Sequence, residues 1–279
     1  MTEPAFQVDA HQHFWRLDRG DYAWLTPELG PLYRDYQPAD LAPLLRERNI
    51  TSTVLVQAAP TVAETRYLLE LAHANEFIGA VVGWIDMASS QAPELLAELD
   101  TYSVFRGVRP MIQDIDDADW ILDPRLSPAF HTLVELDLRF DALVQPRHLP
   151  NLLKLLERHQ DLRVVIDHAG KPDIAGHGLA AWRNLIRPLA AHTSARCKLS
   201  GLVTEAAANW REEDIRPYAD ELLAQFGPER LMWGSDWPVV NLAGGFDSWC
   251  RLTDALLADC SDAERTAILG GTAAAFYDL

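Results

Sequence analysis

Cysteine is scarce in this chain, and the three that occur, Cys197, Cys250 and Cys260, form no CxxC pair. An odd number without paired spacing excludes a disulfide framework. Cys197 lies in an apolar strand pattern and reads as a small buried hydrophobe. Long apolar runs are missing as well. The longest, residues 78–85, falls far short of the roughly 20 residues a membrane-spanning helix needs. The opening MTEPAFQVDAHQHFW has neither a basic nor an apolar leader region, so no signal peptide is expected and the expected compartment is the cytoplasm. Positive charge is in deficit, with 24 Lys and Arg against 41 Asp and Glu and a net charge of −17. Such a surface repels polyphosphates, so neither nucleic acid nor a membrane is an expected partner. No glycine-rich fingerprint follows any strand-like run, which removes the dinucleotide-binding reading and any organic cofactor of that kind.

What is present is a regular alternation. Eight short apolar, β-branched runs cover residues 6–13, 52–57, 78–85, 105–110, 138–144, 163–168, 196–201 and 231–237. Between them lie stretches of helical periodicity at 40–48, 63–75, 92–100, 126–135, 149–159, 179–192, 214–226 and 246–258. A last helix is expected at 262–269, with Gly270-Gly271 as its stop. Repeated βα units over 279 residues predict an α/β fold, a single (β/α)8 barrel domain over residues 1–279 with an extra C-terminal helix. The connection from Phe14 to Gln37 is long and rich in aromatics (Trp15, Tyr22, Trp24, Tyr33, Tyr36), as expected of a lid or binding loop.

In such barrels the active site sits at the C-terminal ends of the strands. Of the nine histidines, His73, His131, His159 and His192 fall on helices or helix ends, and His148 and His177 in loops or helix starts. His11, His13 and His168 remain at strand ends. Residues i and i+2 of a strand share a face, so the HQH spacing aims His11 and His13 at one point. Asp236 ends the last run between Trp233 and Trp237. A carboxylate there is costly to bury without a partner; capping the next turn is the alternative. Three imidazoles and a carboxylate suit one divalent cation, zinc by preference, with a position left for water. They equally suit a general base acting on water beside a group that polarises a carbonyl. Arg109, ending the fourth run, is the candidate for that second task, with a structural ion pair as its rival role.

At this point the motifs HQHFW, GVRP, IDHAGKP, CKLSGLVTEA and GSDWPV, with the closing GGTAAAFY, resemble the amidohydrolase superfamily over nearly the whole chain. The similarity is to its sugar-lactonase branch, which hydrolyses L-fucono- and L-rhamnonolactones. That resemblance implies a distorted barrel, hydrolysis of an aldonolactone ester bond, and a site of His11, His13, His168 and Asp236, with Asp236 taking the proton from water. Two departures weaken a metal centre. The fourth unit has Arg109 where many metal-dependent relatives carry a bridging lysine or glutamate, and the fifth, Phe140 to Gln145, has no histidine. A binuclear centre is therefore not expected, and the single cation is not essential. His168 positions the water or passes a proton to the ring oxygen. Lys171 and Trp237, beside the motifs, and Trp84 and Gln57, ending earlier strands, are the expected sugar contacts. The expected partner is a small sugar lactone, and a homo-oligomer is left open. The alternative function is a metal-dependent amide hydrolase or decarboxylase of the same superfamily. A metal-dependent DNase conflicts with the acidic surface, and a non-catalytic binding barrel conflicts with the four polar strand ends.

Overall fold

The structure, a computed structural model, describes residues 7–279; Phe6, the expected start of the first strand, lies outside them. Eight parallel strands follow one another in chain order: β1 (Gln7–Gln12), β2 (Ile50–Val56), β3 (Ile78–Gly83), β4 (Phe105–Val108), β5 (Arg139–Ala142), β6 (Arg163–Ile166), β7 (Arg196–Leu199) and β8 (Leu231–Trp233). The circle closes through a parallel bridge between Gln12 and Trp237. Two hydrogen bonds flank it, from His13 N to Trp237 O (2.7 Å) and from Asp236 N to His11 O (2.8 Å). This is the expected (β/α)8 barrel.

Helices α1 (Pro38–Glu47), α2 (Val62–Ala74), α3 (Ala92–Asp100), α4 (Ser127–Glu135), α5 (Leu149–Arg158), α6 (Leu179–His192), α7 (Glu212–Phe226) and α8 (Phe246–Leu256) cover the outside. Their starts obey local chemistry. Thr61 Oγ1 accepts from Glu64 N at α2 (3.0 Å), and Asp40 accepts from Gln37 N at α1 (2.8 Å), each satisfying a donor the helix cannot. The apolar stripe of α5 buries Leu152, Leu155 and Leu156 against the sheet.

Gly270-Gly271 is not a stop. Helix α9 (Asp262–Thr266) continues through a π turn (Ala267–Gly271) into α10 (Thr272–Tyr277). Gly271 has ordinary helical angles, φ −57° and ψ −43°, and the wide turn, with Gly270 buried, lies against β1 and β8. α10 then plugs the barrel floor. Ala273, Phe276 and Tyr277 pack with Val8, Ala10, Val54, Val56, Ala80, Val82, Val165 and Met232. Arg139 secures the plug, its Nε donating to Phe276 O (2.6 Å) and its Nη2 pairing with Asp278.

Phe276 is fully buried in this cluster. Phe276→Ala should therefore cost about 3–5 kcal/mol of stability through lost transfer energy and a residual cavity. Urea unfolding should show a lower midpoint at unchanged slope; an unchanged midpoint would mean the plug does not hold the barrel.

Candidate active site

The polar residues of the rim stand just past the ladder ends, because the strands stop earlier than their apolar runs. β4 ends before Arg109, β6 before His168 and β8 before Asp236. His168 (φ +50°), Ala169 (φ +56°), Lys171 (φ +52°) and Asp236 (φ +56°) are all left-handed. Non-glycine residues in that region store strain, which surrounding contacts must hold. Two glycines make room. A Cβ on Gly201, itself at φ +64°, would lie 2.5 Å from His168 Nδ1, and one on Gly234 would lie 2.8 Å from His11 Cβ. Asp9 ties the last turn to β1, accepting from Ser235 N (2.8 Å) and Ser235 Oγ (2.5 Å).

A bulge in β1 sets the first histidine. Pairing runs from Asp9 opposite Thr53 to Gln12 opposite Leu55, so β1 carries one extra residue. Ala10 packs in the barrel interior, and the extra residue turns His11 to the same side, where its Nδ1 meets Lys198 Nζ at 3.2 Å.

The four expected site residues converge. The Nε2 atoms of His11, His13 and His168 lie 3.8, 3.5 and 3.8 Å from Asp236 Oδ1, and His11 Nε2 is 3.1 Å from His13 Nε2. All four are buried. Burial, above all, lowers the basicity of each imidazole. His11 falls well below the ordinary histidine range, helped by the Lys198 charge, and His168 drops to about 4. His13 is lowered as well. Burial alone would push Asp236 up, but the imidazoles around it outweigh that and hold its carboxyl well below the usual range. The resting site at neutral pH is thus a carboxylate ringed by neutral imidazoles.

These residues also fit a cation. His13 Nδ1 is 2.7 Å from Val56 O, so that nitrogen donates and Nε2 keeps its lone pair. Bonds of about 2.0–2.1 Å to a tetrahedral zinc would place ligand atoms about 3.3 Å apart, within the 3.1–3.8 Å range seen here. His11, His13 and Asp236 form one candidate metal group, and His11, Asp167 and His168 another.

Arg109 is buried and held rigidly. Its Nε and Nη2 donate to Gln57 Oε1 (3.0 and 2.7 Å), and Nη1 lies 3.5 Å from Asp167 Oδ2 and 3.3 Å from His11 Nε2. A cavity of about 360 Å³ opens over the group, bounded by His13, Arg109, His168, Lys171 and Asp236, with Trp24, Leu29 and Leu32 of the long first loop as an apolar wall. That loop is a packed wall: Trp15 and Tyr36 exchange backbone hydrogen bonds of 3.0 Å across its neck, and Trp24 Nε1 donates to Ala58 O (2.7 Å).

Three expected sugar contacts stand off the cavity lining. Trp237 is buried, with its ring against Phe14 and Tyr36. Gln57 is spent on Arg109, and Trp84 joins α2 through Thr65, its carbonyl accepting from the threonine hydroxyl (2.9 Å). Lys171 does line the cavity, paired with Glu205 at 3.1 Å.

Sequence reading missed the layer beneath. Lys198 Nζ, fully buried, lies 2.6 Å from Asp141 Oδ2 and 3.0 Å from Asp167 Oδ1, and Tyr277 Oη donates to Asp141 Oδ2 (2.8 Å). Charged residues inside the apolar runs of β5 and β7 were the available signal. Glu64 was missed too; buried, it accepts from Ala58 N (3.0 Å) and Ala59 N (2.8 Å) and shapes the rim after β2.

A family model described as Amidohydrolase matches residues 8–279. The chain belongs to the amidohydrolase family. It is 47% identical over 98% of its length to an L-fucono-1,5-lactonase of Burkholderia ambifaria, of which 96% is covered. It is 40% identical over 99% of its length to an L-fucono-1,5-lactonase of Burkholderia multivorans, of which 97% is covered. A crystal structure of a Burkholderia multivorans amidohydrolase with bound zinc superposes with a TM-score of 0.94 at 41% identity, covering 99% of this chain and 100% of that one.

Two outcomes follow for this amidohydrolase. Gly201→Ala adds left-handed strain and a clash with His168, and should destabilise the fold by about 1–3 kcal/mol with a marked loss of turnover; normal urea stability and activity would show that His168 does not need this close approach. Burial raises Glu64 from its ordinary 4.5 to about 7. Across that window the folded state keeps a proton that the unfolded state has released, so stability falls as pH rises from 4.5 to 7. Glu64→Gln should flatten that fall in urea midpoints; an equally steep fall in the variant would remove Glu64 as a cause.

Proposed function

We propose that this amidohydrolase opens a sugar lactone of the L-fucono- or L-rhamnono- kind to the corresponding hydroxy acid. The observation that carries the reading is an ionised Asp236 and a tethered Arg109 facing one sugar-sized cavity, in a chain 47% identical to a lactonase.

Asp236 accepts a proton from water as the water oxygen attacks the lactone carbonyl carbon. Charge gathers on the carbonyl oxygen, where Arg109 donates a hydrogen bond. Its Gln57 tether means that little reorganisation is needed at that moment. The tetrahedral centre then collapses, the ring C–O bond breaks, and the proton passes through Asp236 or His168 to the ring oxygen. His168 is neutral and takes its orientation from Ser200 Oγ, 2.9 Å from Nδ1. Lys171, on the cavity wall, contacts sugar hydroxyls.

One divalent cation, zinc by the chemistry of the donors, would be held by His11, His13, His168 and Asp236 and would supply Lewis-acid charge. A lactone is an activated ester, so base and guanidinium suffice and the cation is not essential in this reading.

A pH-indicator screen of aldonolactones, with and without chelator, tests the proposal. The wild-type chain should release acid in both arms. Asp236→Asn should lower turnover at least about 1,000-fold with the fold retained by circular dichroism, and Arg109→Met about 100- to 1,000-fold, the scale of one lost oxyanion donor. Near-normal turnover by Asp236→Asn would sink the mechanism. No acid from any lactone, or release of carbon dioxide from an aromatic acid only with metal present, would favour the decarboxylase alternative.

A further inference from the structure

One ion pair on the cavity wall has little part in the chemistry above. Lys171 Nζ and Glu205 Oε1 are 3.1 Å apart, with 23% and 24% of their side chains exposed. We propose that Glu205 is a specificity-determining residue: by neutralising Lys171 it makes the cavity select uncharged, hydroxyl-bearing lactones over anionic ones. The inference rests on the lactonase reading and narrows its substrate class.

The charge on the cavity wall carries the argument. Its permanent cations are Arg109 and Lys171, and its carboxylates are Asp114, Glu205 and Asp236. Arg109 is tied to Gln57 through two of its nitrogens, stands 3.5 Å from the Asp167 carboxylate through the third, and in the proposed reaction is occupied by the lactone carbonyl oxygen. Lys171 is the remaining cation that an anionic substituent on the lactone ring would need, and Glu205 occupies it. An incoming carboxylate therefore loses its hydration, finds no free cation and meets the Glu205 and Asp114 carboxylates on the wall.

The pair is built to stay in place. Glu205 O accepts from Ala175 N (3.0 Å) and Glu205 N donates to Leu202 O (3.2 Å), while Lys171 N donates to His168 O (2.8 Å). A sugar hydroxyl both donates and accepts, so an ammonium beside a carboxylate offers it both halves of its bonding. An anion can use the ammonium alone.

The experiment separates charge from ring shape. In an Asp236→Asn background, which prevents turnover, calorimetry at low salt compares a γ-butyrolactone bearing one carboxylate with the carboxamide of the same ring. The background protein should prefer the carboxamide by about tenfold or more, the scale of a partly screened charge contact. Adding Glu205→Gln should shrink that preference about tenfold, because Lys171 is unmasked. Adding Lys171→Met as well should restore it. A preference unchanged by Glu205→Gln, a shrinkage that survives Lys171→Met, or failure of the carboxamide to bind the background protein overturns the proposal. Acid release from neutral aldonolactones by the wild-type chain tests the lactonase reading separately, and its failure leaves the binding comparison readable.

Discussion

At the centre of the barrel the ammonium of Lys198 sits without exposed surface between Asp141, Asp167 and His11. Taking such a charge out of water costs several kcal/mol, which only close opposite charges offset. Every element that supplies a partner is thereby fixed relative to the others: β5 through Asp141, the turn after β6 through Asp167, β1 through His11. The C-terminal plug joins through Tyr277, whose hydroxyl takes the same carboxylate oxygen as the ammonium. Burial raises Asp141 to about 6; burial pushes Asp167 up too, but the Lys198 and Arg109 charges and the adjacent His11 ring outweigh it and hold that carboxyl well below the usual range. Well-packed apolar residues often replace such clusters without loss of stability. The cluster is better understood as a frame that fixes the His11 ring and the Arg109 guanidinium under the cavity than as a source of stability.

Above that frame, the rim stores strain. His168 and Asp236 hold left-handed angles that cost roughly 1–3 kcal/mol each, and both carry side chains that meet at the proposed reaction centre. What holds them is specific: the missing Cβ of Gly201 beneath the His168 ring, and Asp9 gripping Ser235 one residue before Asp236. Ending the strands early and turning the chain sharply lets imidazoles from the ends of β1 and β6 point at one carboxylate oxygen beyond β8. An extended continuation would carry them past the rim.

The barrel was legible because its cause is local and repeated. Eight apolar runs alternate with helical stripes, and HQH, DHAGKP and GSDWP each end a run, so His11, His13, His168 and Asp236 could be grouped before any geometry was known. The β1 bulge was not legible. Strict alternation from Val8 and Ala10 would turn His11 outward, and the extra residue that turns it back is specified by pairing with β2. The buried charges of β5 and β7 hid for a related reason: Asp141 and Lys198 interrupt apolar runs far apart in sequence, and only barrel closure brings them together. Trp237 stands beside a motif and Gln57 and Trp84 end earlier strands, but neither kind of position decides which side chains line the cavity. Gly270-Gly271 has the composition of a stop, and only packing against the barrel shows why the helix continues.

The two cations nearest the cavity divide their work by how they are tied. Arg109 is hydrogen-bonded to the neutral Gln57 and stands 3.5 Å from the Asp167 carboxylate. That carboxylate also faces Lys198 at 3.0 Å, so Arg109 keeps charge for the oxygen that becomes negative in the proposed reaction. Lys171 is bound to Glu205, a charged partner, so its field is cancelled at rest and little of it reaches the reaction centre. A carboxylate in place of Gln57 would cancel more of the Arg109 charge and weaken the proposed oxyanion contact, and an amide in place of Glu205 would unmask Lys171. The nearby imidazoles add no charge of their own while they stay neutral. In the proposed reaction the resting field over the substrate is therefore set by Asp236 and Arg109, one anion to take the proton and one cation to meet the oxyanion, which is the polarity that ester hydrolysis requires.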